Sequence, residues 1–320
     1  MLVHILKKTS KEKQMNNYND ILYIFPESIK KALVNILNQT KSGYMSISEI
    51  RLRINQNPFV LFNDRREIMI DNVYVTREII NSILNSATRY SMYAFQDTIR
   101  QGFISLRGGH RLGVLGQAVV NNGIMTGQKN ISYLNLRVSH EHIGCANPVM
   151  DFINTQSNVL IISPPGCGKT TMLRDIVRNY SYGLRCSPLK VTIIDERGEI
   201  AACVDGIPQN DIGPRTDVCN MGNKKEGVFA ALRSMSPDLI VMDEIGGDDD
   251  VEAVKKAVYL GVRVIATVHG YSLKDCYLRS DLTQIINNNG FNKIIVLSNK
   301  NGAGTVADMI DLEEKSDCVY

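Results

Sequence analysis

Five short apolar runs occur in the second half of this chain, and segments of helical character separate them. The runs lack the polar alternation of a half-exposed strand, so they are typical of parallel strands that helices bury on both faces. The pattern therefore predicts an α/β fold with a parallel sheet over residues 146–320. The predicted strands are residues 159–162, 191–194, 239–242, 262–268 and 293–297.

The first half of the chain mixes helical and strand patterns, which predicts a smaller α+β domain over residues 21–145. Apolar residues recur at helical spacing between Ile29 and Leu37. Asn121-Asn122-Gly123 lies between two apolar runs and predicts a hairpin, because Asn and Gly tolerate positive φ. Residues 1–20 are polar and predict a flexible lead-in. The predicted strands of this half are residues 47–53, 58–62, 111–120, 124–126 and 132–138.

Composition argues against several classes of protein. A net charge of +3 indicates neither a nucleic acid nor an anionic membrane as a partner. The seven cysteines are scattered and form no C-x-x-C pair, which argues against a disulfide framework or a zinc site. No apolar run approaches the roughly 18 residues that cross a bilayer, and the lysine-bearing N-terminus lacks the apolar core of a signal peptide. We therefore expect a cytoplasmic protein.

A strand, a glycine-bearing turn and a helix follow one another over residues 159–177, which is the context of a phosphate-binding P-loop. Gly166 and Gly168 let backbone N–H groups face phosphate oxygens, and Lys169 can reach the outer phosphates. Thr170 is placed to bind Mg²⁺ through its hydroxyl, and the next threonine to support a neighbouring phosphate. Ser163 replaces the usual first glycine, and a purely structural turn is the alternative. The predicted nucleotide-binding residues are Pro165, Gly166, Cys167, Gly168, Lys169, Thr170 and Thr171.

Two of the predicted strands end in pairs of acidic residues, Asp195-Glu196 and Asp243-Glu244. Because the carboxyl ends of parallel strands share one edge of a sheet, we expect these acids beside the P-loop. Asp243 and Asp195 are the predicted metal ligands, whereas Glu244 and Glu196 are rivals for orienting the attacking water. The alternatives are a solvated acidic turn after the later strand and a surface ion pair between Glu196 and Arg197.

His269 follows another predicted strand at the same edge, which predicts a histidine that senses the γ-phosphate; a structural histidine is the alternative. Asn299-Lys300-Asn301-Gly302 lacks the aspartate of a guanine-specificity motif, so ATP is expected rather than GTP. The expected reaction is attack of water on the γ-phosphate of Mg-ATP, where positioning and charge neutralisation supply most of the rate.

Several motifs, occurring in one order, resemble those of the stage III sporulation protein AA family of endospore-forming bacteria. That family is itself similar to the secretion ATPases of type II and type IV systems and of pilus retraction. The resemblance extends from about residue 45 over nearly all of the remaining chain. The motifs are SEIRLRIN (48–55), GGHRLGVLGQAV (108–119), ISYLNLRVS (131–139), SPPGCGKTTMLRD (163–175), IIDERGEIA (193–201), GIPQNDIGPRTDV (206–218), LRSMSPDLIVMDEIGG (232–247) and ATVHG (266–270).

The resemblance implies a RecA-like P-loop core that hydrolyses ATP with Mg²⁺. It further implies a homo-oligomeric ring, expected to be a hexamer. This ring would dock on the cytoplasmic face of integral membrane components of the stage III sporulation channel, on the mother-cell side, with no nucleic acid as partner. In the secretion ATPases, arginines of the N-terminal domain close over the nucleotide, often across a subunit boundary. Arg111 and Arg137 occupy comparable strands here and Arg215 is a further candidate, while surface ion pairs are the alternative for each.

Two other functions stay open on sequence grounds. A nucleic-acid motor shares the RecA-like core, but it is expected to carry a concentrated basic stripe or stacking aromatic residues. This chain has no Trp and only 7% aromatic residues. A nucleotide-dependent scaffold without turnover is the second alternative, and the presence of Lys169, Thr170 and Glu244 argues against it.

Overall fold

The computed structural model describes residues 20–39, 47–220, 222–288 and 290–313, and these residues form two compact units. The first unit comprises the described residues up to His140 together with Cys203–Gln209. The second unit comprises Glu141–Ala202 and the described residues from Asn210 onward. The domain boundary predicted between residues 145 and 146 is close to this division, and the predicted lead-in of residues 1–20 lies outside the described residues except for Asp20.

The first unit contains a six-stranded sheet in the order β3-β2-β1-β6-β5-β4, with every neighbouring pair antiparallel. The segments predicted as separate strands at 124–126 and 132–138 form one 14-residue strand, β6. A bulge at Gly116 interrupts its pairing with β5, and a Cβ there would lie 2.6 Å from the Lys129 carbonyl oxygen. The strands are β1 Ile47–Arg53, β2 Phe59–Phe62, β3 Glu67–Met69, β4 Phe103–Ser105, β5 Arg111–Asn121 and β6 Ile124–Arg137.

Helices cover one face of this sheet. Side chains that alternate along the strands, such as Ile50, Leu112 and Leu136, share one core with Leu33 and Ile80 of the helices. The helices are α1 Glu27–Gln39, α2 Arg77–Ala87 and α3 Gln96–Arg100. Because strand side chains alternate between faces, the residues between these core positions, including the predicted arginines of β5 and β6, lie on the opposite face.

A buried histidine, His110, lies directly before β5 and is 2% exposed. Its Nδ1 accepts the backbone N–H of Ser139 at 3.0 Å. Burial, together with a smaller effect of the nearby His140, lowers the pKa of His110 from 6.5 to about 4. A base with a lowered pKa in the folded state makes stability fall as pH falls, because only the unfolded chain takes up the proton.

We therefore expect the first unit to lose about 3 kcal/mol of unfolding free energy as pH falls from about 6.5 to about 4. Denaturant unfolding of the full chain across that range measures the loss. His110→Asn keeps an acceptor for the Ser139 N–H but does not titrate, so its pH dependence should be flatter. An equal slope in both proteins would show that another group is responsible.

The second unit contains a seven-stranded sheet in the order β13-β12-β7-β11-β10-β8-β9. All pairs are parallel except β12 with β13, and all five predicted strands are present. Two strands of this unit, β9 and β13, were not predicted; they form the sheet edges and are incompletely buried, so they carry no continuous apolar run. The strands are β7 Val159–Ser163, β8 Val191–Ile194, β9 Thr216–Cys219, β10 Leu239–Met242, β11 Arg263–His269, β12 Lys293–Ser298 and β13 Thr305–Asp311.

Helices follow the parallel strands and bury them. Val251 and Val254 are buried in α7, Asp248–Tyr259, whose first turn carries three aspartates where the helix dipole favours negative charge. Among the described residues, no helix combines the length and the apolar character that crossing a bilayer requires. The helices of this unit are α4 Asn147–Met150, α5 Lys169–Tyr182, α6 Lys224–Ser234, α7 Asp248–Tyr259, α8 Leu273–Tyr277 and α9 Ser280–Asn287.

Candidate functional site

The predicted P-loop connects the carboxyl end of β7 to the first residue of α5. Gly166 and Gly168 have φ angles of 73° and 82°, which favour glycine. A Cβ at Gly168 would also lie 3.0 Å from the backbone nitrogen of Gly304, whose N–H donates to the Cys167 carbonyl at 2.8 Å. No side chain caps the N-terminus of α5, so its first N–H groups can receive an anion, as phosphate binding requires.

Glu244 lies at the centre of a charged cluster on this edge of the sheet. Its Oε2 is 2.6 Å from Arg197 Nη1 and 3.9 Å from Lys169 Nζ, and its Oε1 is 2.9 Å from His269 Nε2. Lys169 Nζ is also 3.0 Å from His269 Nε2 and 3.2 Å from its Nδ1. With the proton on Nε2, His269 donates to Glu244 and accepts from Lys169, and this tautomer is assigned from the hydrogen-bonding pattern. The three residues predicted from separate motifs, Lys169, Glu244 and His269, are therefore in contact.

Asp243 is fixed by two threonine hydroxyls. Thr170 donates to its Oδ2 at 2.9 Å, and Thr267 donates to its Oδ1. Thr267 also accepts the backbone N–H of Glu244 at 2.8 Å, so one hydroxyl holds both acidic residues that follow β10. Thr267 was missed in the sequence, although it lies in the ATVHG motif, because a threonine inside a buried strand has no pattern that marks it as functional.

Thr170 and Asp243 fit a magnesium ion that a nucleotide brings with it. No group of three or more His, Cys, Asp or Glu side chains in the described ranges could hold a metal ion. Mg²⁺ commonly binds one or two protein oxygens together with phosphate oxygens and water. The hydroxyl of Thr170 and the carboxylate of Asp243, in hydrogen-bond contact at the P-loop, supply oxygens of that type.

The acidic pair after β8 divides into a buried and a more accessible carboxylate. Asp195 is 2% exposed, and its oxygens accept the backbone N–H groups of residues 199, 200 and 201 at 2.9, 3.2 and 2.9 Å. Burial raises the pKa of Asp195, and these N–H donors oppose the rise. Arg174 holds the same loop by donating to the carbonyls of Glu199 and Ile200 at 2.7 Å. Asp195 is thereby engaged with backbone rather than directed at the P-loop.

Glu196 pairs with Lys224 at 3.2 Å, whereas the ion pair considered from the sequence was with Arg197. Arg197 instead contacts Glu244. An open cleft of about 250 Å³ lies beside these two glutamates. It is lined by Asp195, Glu196, Arg197, Glu199, Lys224, Asp243 and Glu244. Lys224 and Arg174 were missed in the sequence, since an isolated basic residue at a helix carries no signal.

Arg215, one of the three predicted arginines, lies apart from this cluster. Arg215 donates to the carbonyl of Ser181 at 2.9 Å, at the end of α5 opposite the P-loop and about 20 Å along the helix. Arg111 and Arg137 belong to the first unit, where they are direct cross-strand neighbours on β5 and β6. The Arg111 guanidinium lies 3.8 Å from the centre of the Phe103 ring.

The remaining predicted P-loop residues are accounted for by the turn itself. Pro165 is exposed at the turn, and Cys167 is buried with its carbonyl bound to Gly304. Thr171 lies in the first turn of α5, and its carbonyl accepts the Cys145 thiol at 3.6 Å. These residues shape the loop, while Lys169 and Thr170 supply its charged and hydroxyl groups.

The family described as "Sporulation stage III, protein AA" matches residues 15–316. The chain belongs to this family. The stage III sporulation protein AA of Bacillus subtilis (strain 168) is 38% identical over 296 residues, which are 92% of this chain and 95% of that protein. The family resemblance inferred from the motifs is thereby confirmed.

Solved structures similar to this chain include a pilus retraction motor and an ATPase. The pilus retraction motor PilT with bound ADP aligns with a TM-score of 0.59 and 18% identity, over 94% of this chain and 88% of that one. The ATPase DotB of Legionella pneumophila aligns with a TM-score of 0.55 and 17% identity, over 82% and 74%. At identities this low, the structural similarity shows the fold alone. It confirms the predicted α/β P-loop core preceded by a smaller α+β domain.

Proposed function

We propose that this chain hydrolyses ATP and drives a secretion-type assembly during endospore formation. One observation carries the proposal: the P-loop lysine, the glutamate after β10 and the histidine that ends β11 form one contact cluster. Charged groups gathered at a glycine-rich turn, beside the uncapped start of a helix, suit the transfer of a phosphoryl group.

Within this site, Lys169 binds the outer phosphates and Glu244 orients the attacking water. Glu244 is chosen over Glu196 because it contacts Lys169 and His269, whereas Glu196 is paired with Lys224. His269 holds Glu244 in place and senses the γ-phosphate. Asp195 acts as a positioning residue that fixes the loop bearing Glu196.

Thr170 and Asp243 would hold Mg²⁺, with Asp195 behind them as a buried charge rather than a direct ligand. The ion supplies neutralisation of the charge on the phosphate oxygens when it is bound. ATP rather than GTP is the proposed nucleotide, because the loop that packs on Cys167 reads Asn299-Lys300-Asn301-Gly302 and lacks the aspartate of a guanine-specificity motif.

Assembly is the second part of the proposal. Copies of the chain form a ring, proposed to be a hexamer, in which Arg111 and Arg137 reach the phosphates of a neighbouring copy. The ring docks on the cytoplasmic face of integral membrane components of the stage III sporulation channel, on the mother-cell side. Membership of the sporulation family and the fold shared with the pilus retraction motor support this assignment. Arg215, held at the far end of α5, is proposed to stabilise that helix.

Phosphate release from Mg-ATP by the purified full chain, with and without single-stranded DNA, tests the proposed function. We expect hydrolysis that DNA does not change, and slower hydrolysis of GTP. Stimulation by DNA would favour a nucleic-acid motor instead. Tight ATP binding without turnover would favour a nucleotide-dependent scaffold.

A further inference from the structure

Lys224, the first residue of α6, places its ammonium group among oxygens from three different elements. Its Nζ is 2.9 Å from the carbonyl oxygen of Glu244, 3.2 Å from Glu196 Oε2 and 3.4 Å from Asp250 Oδ2. The side chain is 12% exposed. An ammonium group has three hydrogens to donate, so these three acceptors account for all of them.

The turn that follows β10 is held at every amide from Glu244 to Gly247. The N–H of Glu244 donates to the Thr267 hydroxyl, and the next N–H donates to the Thr267 carbonyl, each at 2.8 Å. The Gly246 N–H donates to Asp250 at 2.8 Å, and the Gly247 N–H donates to Asp281 at 3.3 Å. Lys224 adds a hydrogen bond to the Glu244 carbonyl, so both the N–H and the carbonyl of Glu244 are hydrogen-bonded.

Glu244 needs this support because its φ is 50°, in the left-handed region that a residue with a side chain rarely adopts. This conformation turns the carboxylate toward Lys169 and His269, while its own carbonyl turns toward Lys224. Backbone strain of this kind persists where surrounding contacts over-determine it. Lys224 therefore stabilises the backbone conformation that aims the Glu244 side chain.

We propose that Lys224 is a positioning residue for ATP hydrolysis, acting through the backbone of Glu244 on the orientation of its carboxylate. The inference rests on the proposed function, since it assumes that Glu244 orients the attacking water. In the contacts that the structure describes, Lys224 touches neither the P-loop nor its lysine. Its loss should therefore slow the chemical step and leave nucleotide binding nearly unchanged.

The adjacent Lys225 offers a matched control. It too joins α6 to α7 through ion pairs, at 2.9 Å to Asp249 and 2.7 Å to Glu252, and it is 27% exposed. Its partners lie on the outer side of α7 and make no contact with the turn after β10 in the described contacts. If Lys224 served only to join α6 to α7, replacing either lysine would have the same effect on hydrolysis.

The test compares kcat and KM for ATP in the full-length Lys224→Met and Lys225→Met variants. For Lys224→Met we expect kcat to fall by about tenfold to 100-fold, with KM within about threefold of the unchanged chain. For Lys225→Met we expect both constants to stay within about twofold. Equal losses in the two variants, or a loss in Lys224→Met that appears in KM alone, would overturn the proposal.

A double variant separates backbone positioning from simple charge balance. If Lys224 acted only by neutralising Glu196, adding Glu196→Gln to Lys224→Met would restore kcat. We expect no recovery, because the Glu244 carbonyl still lacks its donor, and recovery would overturn the proposal. Absence of hydrolysis by the unchanged chain would overturn the proposed function itself. If the unchanged chain hydrolyses ATP and Lys224→Met has the same kcat, only the role of Lys224 would be overturned.

Discussion

Replacing Glu244 by glutamine is expected to lower kcat for ATP by about 10³-fold while KM changes little. The amide keeps the size of the side chain but cannot accept a proton from water, and it loses the charge that Lys169, Arg197 and His269 surround. Steady-state phosphate release by the full chain, with ATP binding measured separately, gives both constants.

Glu196→Gln is the matched comparison, since it makes the same change in the rival acid. We expect a loss of less than about tenfold there, because the loop that carries Glu196 is held by Asp195 and Arg174 rather than by Glu196 itself. A larger loss in Glu196→Gln than in Glu244→Gln would reverse the two assignments and make Glu196 the residue that orients water.

Replacing either Arg111 or Arg137 by alanine is expected to lower kcat by about 10³-fold, the smaller end of the range for arginines that stabilise a transferring phosphoryl group. The two side chains are cross-strand neighbours on the face of the first sheet opposite its helical core. A single movement of that face would therefore bring both arginines to the phosphates together. Turnover by each variant at a fixed chain concentration measures the loss.

Mixing variants tests whether these arginines act on another copy. Arg111→Ala mixed with Lys169→Ala should recover hydrolysis, because a site can form from the intact P-loop of one chain and the intact arginine of the other. A mixture of Lys169→Ala and Glu244→Gln should stay inactive, since both residues belong to one contact cluster within a chain. No recovery in the arginine mixture would contradict a composite site.

Much of the candidate site could be predicted from the sequence because parallel strands impose a simple rule. Each buried strand appears as an apolar run, and the residue after it lies at the carboxyl edge of the sheet. Applied to β7, β10 and β11, this rule places Lys169, Glu244 and His269 at one edge, and they are in contact. The edge strands β9 and β13 escaped it because their side chains are only partly buried.

Individual contacts could not be predicted because they depend on how side chains meet across the sheet. Arg197 follows Glu196 in the chain yet pairs with Glu244, since β8 and β10 are adjacent strands. Asp195 was predicted as a metal ligand, but it accepts hydrogen bonds from three backbone N–H groups of its own loop. The spacing of residues in the sequence does not predict these hydrogen bonds. Lys224 reaches the Glu244 carbonyl from the first residue of α6, a helix outside the two strands β8 and β10.

Phosphate release from ATP by the unchanged chain and by Lys169→Ala, measured over a series of chain concentrations, tests the central claim most directly. We predict that activity per chain rises with concentration in the unchanged protein and is absent in Lys169→Ala at every concentration. Activity per chain that stays constant and survives Lys169→Ala would contradict an assembled ATPase built on this P-loop.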